Sequence, residues 1–403
     1  MVEAGTRYED AETVGSSLVL ERIALGPSKN HSALAMNRAV AAMGTHMTAT
    51  ASREMMTYSA EVLRNDVPDM LEVLSESVSA PAINPWDVEE AKKMLYEQAD
   101  MMKSAVDDAV ISDFAHASAY QDQALSLPIV PSKEIIDSMS AEATAMFFAR
   151  HYTPKNMVVA ATGVSHDVVV EAADKYFGHL SGEKSKPVPA KFTGGDIRPY
   201  GYGDDGMAHV AISFESVTWS DKNLAAASVL QMIMGGGGSF SAGGPGKGMY
   251  TRLYENILNK YGFVQTSTCT QSIYSDTGLF TLYGVAAPHY GSQVVALLIE
   301  EAKKMAGPIS ESELSRAKNL LKSYVMMHLE SRIFLQDDLA RSVISYNEVL
   351  GSQTLCSQID QVTAGDVQAV AKQLLSSPIS IAAVGNISGI PQRDVVARQL
   401  TSF

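Results

Sequence analysis

Cysteine is nearly absent from this chain, with two in 403 residues, Cys269 and Cys356. Their scarcity excludes a disulfide framework, and neither thiol has a partner at zinc-ribbon spacing, so a reducing compartment fits. Long apolar runs are also missing. None approaches the roughly 18 to 20 residues that cross a bilayer, and residues 1 to 25 read as neither a secretory signal nor an Arg-rich amphipathic presequence. Basic side chains are in deficit, 31 against 45 acidic ones. The net charge of −14 disfavours nucleic acid and favours cationic partners or plain solubility. Histidines stand at 31, 46, 116, 151, 166, 179, 209, 289 and 328, with no two of them three to five residues apart. A histidine pair gripping a metal from one helical turn is therefore not encoded. A Gly-x-Ser-x-Gly elbow is lacking as well, which argues against a serine hydrolase.

Glycine, by contrast, is concentrated between Met234 and Tyr250, in the run Gly235, Gly236, Gly237, Gly238, Ser239, Phe240, Ser241, Ala242, Gly243, Gly244, Pro245, Gly246, Lys247 and Gly248. A stretch with so few side chains cannot build a core, and glycine lets another chain approach the backbone closely. It reads as a mobile binding loop or as a linker between helices. A phosphate-cradling loop is rejected, because Ser241 stands where its first glycine should be and Gly248 where its hydroxyl should be. Met232, Met234 and Met249 beside the run are expected to be core filler rather than an adaptable peptide-binding surface.

At this length two domains of about 200 residues are expected, and a hydrophobic content of 46% supports two cores. The chain also repeats itself. Strands at 48–52 and 57–63 followed by a helix at 67–78 are answered by strands at 265–270 and 278–285 and a helix at 291–305. Ile136 to Ala141 is answered by Ile359 to Ala364, each opening a helix, and Val158 to Gly163 by Ser380 to Gly385, each read as a short buried strand. One offset near 220 residues relates all these pairs, which points to a duplicated α+β unit. The halves are placed at 1–181 and 204–403, joined by a Gly-, Pro-, Ser- and Lys-rich linker at 182–203. Long helices are read at 85–110 and 311–346, and each half is expected to carry a mostly antiparallel sheet with helices on one face.

Further landmarks are Gly5-Thr-Arg-Tyr-Glu9, Ala51-Ser-Arg-Glu54, His151-Tyr-Thr-Pro-Lys-Asn-Met-Val158, Tyr250-Thr-Arg-Leu-Tyr254 and Ser272 to Phe280. With the glycine run they make the chain resemble, over essentially its whole length, the pitrilysin-like (M16) metallopeptidase family, and within it the α-type subunits of heterodimeric processing enzymes. The resemblance implies two domains, each with a six-stranded sheet, closing like a clam around an extended peptide. It also implies that several tens of residues precede Gly5 in relatives, including a first strand and any targeting presequence.

Active members of that family carry His-x-x-Glu-His on a helix. Here the matching residues are Leu18, Glu21 and Arg22, with Glu97 as the remnant of a distal glutamate. Leucine has no lone pair and arginine is a permanent cation with no acceptor, so the residues predict no metal and no cofactor in this chain. We expect Arg22 to stand in for the metal's charge and pair with Glu21 or Glu97. Positions where the family has a substrate-steadying arginine and tyrosine are Leu258 and Gln265. The resemblance therefore implies a non-catalytic subunit whose glycine-rich loop, Gly235 to Gly248, helps hold mitochondrial presequence peptides. A β subunit bearing zinc would cut them, in the mitochondrial matrix or on the matrix side of the inner membrane. It equally implies a core subunit of the cytochrome bc1 complex, in which processing can coexist with, or give way to, a purely structural role.

Overall fold

A computed structural model of the chain describes residues 1–104, 106–129, 131–203, 205–238 and 249–401. Its contacts divide into two compact units that do not follow the sequential halves. Unit 1 comprises Met1–Asp100, Leu127–Val188 and Ser331–Asn347; unit 2 comprises Met101–Ser126, Pro189–Glu330 and Glu348–Phe403. Each half thus lends one helical segment to the unit built mainly from the other.

The exchange falls about one turn before a break in the first helix read as continuous, and at the break in the second. The first spans Pro85–Ser104, and a second, Asp108–Ala119, starts where the Asp107 side chain accepts from the Ala109 and Val110 amides. An N-cap of this kind satisfies backbone donors that would otherwise be orphaned, and so sets a start within an unbroken helical period. The later reading divides likewise into Glu311–Glu330 and Arg332–Tyr346, around extended Ser331.

Unit 1 contains strands β1 (Met47–Ala51) and β2 (Met56–Ala60), paired antiparallel, and the Val67–Ser79 helix that follows them. Val158 to Gly163 is not a buried strand. It is partly exposed, and its pairing is a bridge from Met157 to Val2 with the Val158 amide donating to Met1 O at 2.9 Å. One isolated bridge is not the ladder that buries its counterpart, Ser380 to Gly385. The core of unit 1 gathers Leu18, Val19 and Leu20 with Met56, Leu95, Ile136 and Phe147.

Unit 2 holds β3 (Asp196–Ile197), β4 (Ala208–Glu215), β5 (Gly236–Gly238), β6 (Val264–Ile273), β7 (Gly278–Ala286) and β8 (Ser380–Gly385), in the order β3-β8-β4-β7-β6-β5. All neighbours are antiparallel except β3 and β8. β3 lies inside the segment read as linker, so that segment ends as an edge of the sheet. Along β4, Val210, Ile212 and Phe214 enter one core, with residues of the Leu224–Met234, Gly291–Met305 and Ala364–Ser376 helices. Ala211 points into another, with Ile111, Ala115 and Ala119 of the Asp108–Ala119 helix. Helices therefore cover both faces of this sheet, which corrects the one-face reading. The continuous apolar run of β7, buried at every residue, is the sequence counterpart of that double cover. Met234 is fully buried in the larger core and Met232 packs against it, in keeping with methionine as filler.

Candidate functional site

The residues matching the family metal motif lie in unit 1 on the Ser16–Arg22 helix, seven residues long. Its start is built by the first landmark. Buried Glu9 accepts from the amides of Gly15 (2.7 Å) and Ser17 (2.8 Å) and from the Ser17 hydroxyl (2.6 Å). Burial raises the Glu9 carboxyl to about 7, against the opposing pull of those hydrogen bonds. The second landmark locks onto the first. Gly5 packs so tightly on Ser52 and Arg53 that a Cβ there would stand 2.2 Å from Ser52 O, and Arg7 pairs with Glu54 at 2.5 Å in the buried interior.

On this frame Leu18 is turned into the core, 4% exposed. Glu21 accepts the Ala51 amide of β1 at 2.7 Å, giving the carboxylate a structural task at a strand end. Arg22 lies 3.7 Å from Glu21 and donates to Gln98 Oε1. The expected pairing of Arg22 with a carboxylate therefore holds for Glu21. From the Pro85–Ser104 helix the group that meets Arg22 is Gln98, while Glu97 is exposed. Adjacent helical positions point about 100° apart, so Glu97, taken from the family resemblance as the remnant of a distal glutamate, falls one residue from the group that meets Arg22. Among the described residues no three His, Cys, Asp or Glu side chains are grouped to hold a metal ion. Leu18 and Arg22 supply no donor atom, and Glu21 is committed to a backbone amide. These side chains do not fit zinc.

The glycine run belongs to unit 2, and of it Gly235 to Gly238 are described; Ser239, Phe240, Ser241, Ala242, Gly243, Gly244, Pro245, Gly246, Lys247 and Gly248 lie outside the described residues. The first glycines are not loose. Gly235 ends the Leu224–Met234 helix with φ +55° and its carbonyl accepts the Cys269 amide at 2.9 Å. Gly236 to Gly238 form β5 against Thr268, Ser267 and Thr266 of β6. At Gly236, φ is +107° and a Cβ would stand 2.0 Å from Ser267 O, so only glycine fits. Thr251 secures the base from the other side, its hydroxyl accepting the Gly236 amide at 3.1 Å. Arg252, in the landmark that follows, forks onto Glu313 with 2.7 and 3.1 Å bonds. Replacing Gly236 by alanine is expected to cost about 2–3 kcal/mol by overpacking and backbone strain. Faster amide exchange at Ser267 and Thr268, with β4 and β7 unaffected, would report local detachment of β5.

The positions that stand in for the family's arginine and tyrosine have other work. Leu258 is buried in the larger core, and exposed Gln265 directs its amide to Met207 Sδ at 3.7 Å.

A profile described as insulinase (peptidase family M16) matches residues 1–133, and one described as peptidase M16 inactive domain matches residues 138–321. Among curated relatives, probable mitochondrial-processing peptidase subunit alpha-1 of Arabidopsis thaliana is 34% identical, over 98% of this chain and 78% of the relative. The mitochondrial-processing peptidase subunit alpha of Solanum tuberosum is 35% identical, over 100% and 80%. A structure of complex III2 from Candida albicans with Inz-5 bound contains a chain of the same fold, with TM-score 0.82 and 20% identity, over 99% of this chain and 93% of that one. By profile match, by identity over nearly its full length and by its α+β fold, this chain belongs to the M16 peptidase family.

Proposed function

We propose that this chain is the non-catalytic, substrate-recognising α-type subunit of a mitochondrial processing peptidase. The observation that carries the reading is the chemistry at the metal motif. Leu18 is core, Arg22 is a fixed cation against Glu21 and Gln98, and Glu21 is spent on Ala51, so no group here can lower the pKa of a water and deliver it to a peptide bond. A β-type partner supplies zinc and cuts. Recognition falls to the glycine-rich segment Gly235–Gly248, whose base is held by β6 and Thr251, and the chain resides in the matrix or on the matrix side of the inner membrane. The names of the Arabidopsis and Solanum relatives support the subunit assignment.

Two measurements test it. The isolated chain should hold no stoichiometric zinc and show no chelator-sensitive proteolysis; either one overturns the reading. In the heterodimer reconstituted with a His-x-x-Glu-His partner, deleting residues 239–248 while keeping Gly235–Gly238 should lower kcat/KM for a presequence peptide at least about tenfold, or about 1.4 kcal/mol. Unchanged processing with an unchanged melting temperature would show that the segment is only a linker.

A second role, as a core subunit of the cytochrome bc1 complex, is favoured by the shared fold with a complex III chain. That warrant is analogy of fold. Co-purification with cytochromes b and c1 after gentle detergent extraction separates it from a soluble heterodimer, and an assembly that processes nothing would make it the sole role.

A further inference from the structure

Among the described residues, one strand of unit 2 has no full counterpart in unit 1. In unit 2, β4 lies between β7 and β8 and pairs antiparallel with both. By the internal repeat, the counterparts of β7 and β8 are β2 and the segment Val158 to Gly163. Between those two stands Val2, bridged antiparallel to Met56 on one side and to Met157 on the other. Val2 and Met56 exchange both backbone hydrogen bonds at 2.8 Å, and the Val158 amide donates to Met1 O at 2.9 Å. Val2 thus takes the place of the C-terminal end of β4, and the ladder stops there.

Beyond Val2 the two walls border an open cleft of about 420 Å³. Backbone groups of an extended strand alternate in direction. Because Met56 turns its amide and carbonyl to Val2, Tyr58 and Ala60 turn theirs to the cleft, and alternation from Val158 brings the Ala160 amide there too. Among the described residues no backbone carbonyl takes up these three amides. The Ala160 carbonyl accepts Gln336 Nε2 at 3.3 Å, a side chain in the place of a neighbouring strand. The rest of the lining is largely apolar and comes from two helices: Leu71, Leu74 and Val78 from Val67–Ser79, and Ile333, Phe334 and Ala340 from Arg332–Tyr346. Ile333 and Phe334 are each 53% exposed.

We propose that this cleft accepts an extended, apolar strand of a partner polypeptide, which continues the β1–β2 ladder antiparallel to β2 and in line with Val2. The unpaired amides specify a strand, since a helix has its own backbone groups paired internally and offers them no carbonyl. The lining specifies its composition. β4, which meets helices on both faces, is buried at every residue but Glu215, and a guest between the same kinds of wall must likewise be apolar at successive positions. A polar or charged peptide would leave Ile333 and Phe334 against groups that lose their water. The site is separate from the glycine-rich segment and stands or falls independently of the processing assignment.

The test uses the 403-residue chain and a labelled synthetic peptide with the sequence of β4, Ala208 to Glu215, flanked by lysines for solubility. A second peptide has proline in place of Ile212, which removes a donor and blocks pairing. Fluorescence anisotropy should show binding of the first peptide, and binding of the second at least about tenfold more weakly. Adding the first peptide should slow amide hydrogen exchange at Tyr58, Ala60 and Ala160. In the protein, Ala160→Pro deletes an amide without a backbone partner, so the melting temperature should hold while Kd rises about tenfold. Independently, Phe334→Asp puts a charge on the exposed lining and should weaken binding at least as much. Equal binding of the two peptides, unchanged exchange at the three amides, an unchanged Kd in both variants, or no binding at millimolar concentration would overturn the proposal. Self-association of the chain that the peptide fails to displace would also overturn it, by giving the cleft to a second copy.

Discussion

Replacing Arg7 by methionine should destabilise unit 1 by about 3–5 kcal/mol, the loss expected when one partner of a buried ion pair is removed and the other charge is left behind. Its guanidinium is 2.5 Å from Glu54 and also donates to Val188 O at 3.3 Å, and the two side chains are 1% and 9% exposed. The cost does not measure what the pair contributes, because taking both charges out of water offsets most of their attraction. The double variant Arg7→Met/Glu54→Leu should therefore recover much of the loss, since no uncompensated carboxylate remains. Urea unfolding of wild type, both single variants and the double variant checks this; strictly additive losses would contradict it. Arg53, also buried beside Glu54, sets the expectation toward the lower end of the range.

Glu9→Ala should be comparably damaging, by about 3 kcal/mol, because it strands the Gly15 and Ser17 amides and the Ser17 hydroxyl, three buried donors whose desolvation costs roughly 1–3 kcal/mol each before relaxation. The same residue makes stability depend on pH. Its folded value, about 7, lies above the ordinary 4.5, so the folded state binds the proton more tightly than the unfolded chain does. The stabilising contribution of this group is therefore complete below pH 4.5 and is lost as pH rises through 7. A urea midpoint that falls between pH 5 and pH 8 in wild type, with a smaller fall in Glu9→Ala, is the expected result. An equal fall in both would assign the pH dependence to other groups.

Both predictions concern landmarks that carried the family resemblance, and they show what those landmarks are for. Gly5-Thr-Arg-Tyr-Glu9 and Ala51-Ser-Arg-Glu54 close on each other and hold the short Ser16–Arg22 helix. A helix of seven residues is marginal by itself, so it depends on the Glu9 cap and on Leu18 in the core. The frame thus stands complete around Leu18 and Arg22, two side chains with no metal donor atom.

Local periodicity placed several elements correctly, among them β7 and the Gly291–Met305 helix, because their apolar faces repeat with the period of the element. It failed where a single capping side chain or a distant partner decides. Asp107 and Ser331 break helices whose hydrophobic pattern runs on, and Val158 to Gly163 has the composition of its counterpart β8 without the neighbours that make β8 a buried strand.

That Leu18 and Arg22 offer no donor atom to a metal was legible from residue identity alone, because leucine and arginine have no lone pair to give wherever they sit. The duplicated plan and the need for glycine next to Met234 were also legible in the linear order. Which group meets Arg22, why Gly236 tolerates no Cβ, and the exchange of helices between the two units were decided only by folding. Each depends on residues far apart in the chain, and on the angle or distance at which packing brings them together, and neither of those is written in spacing.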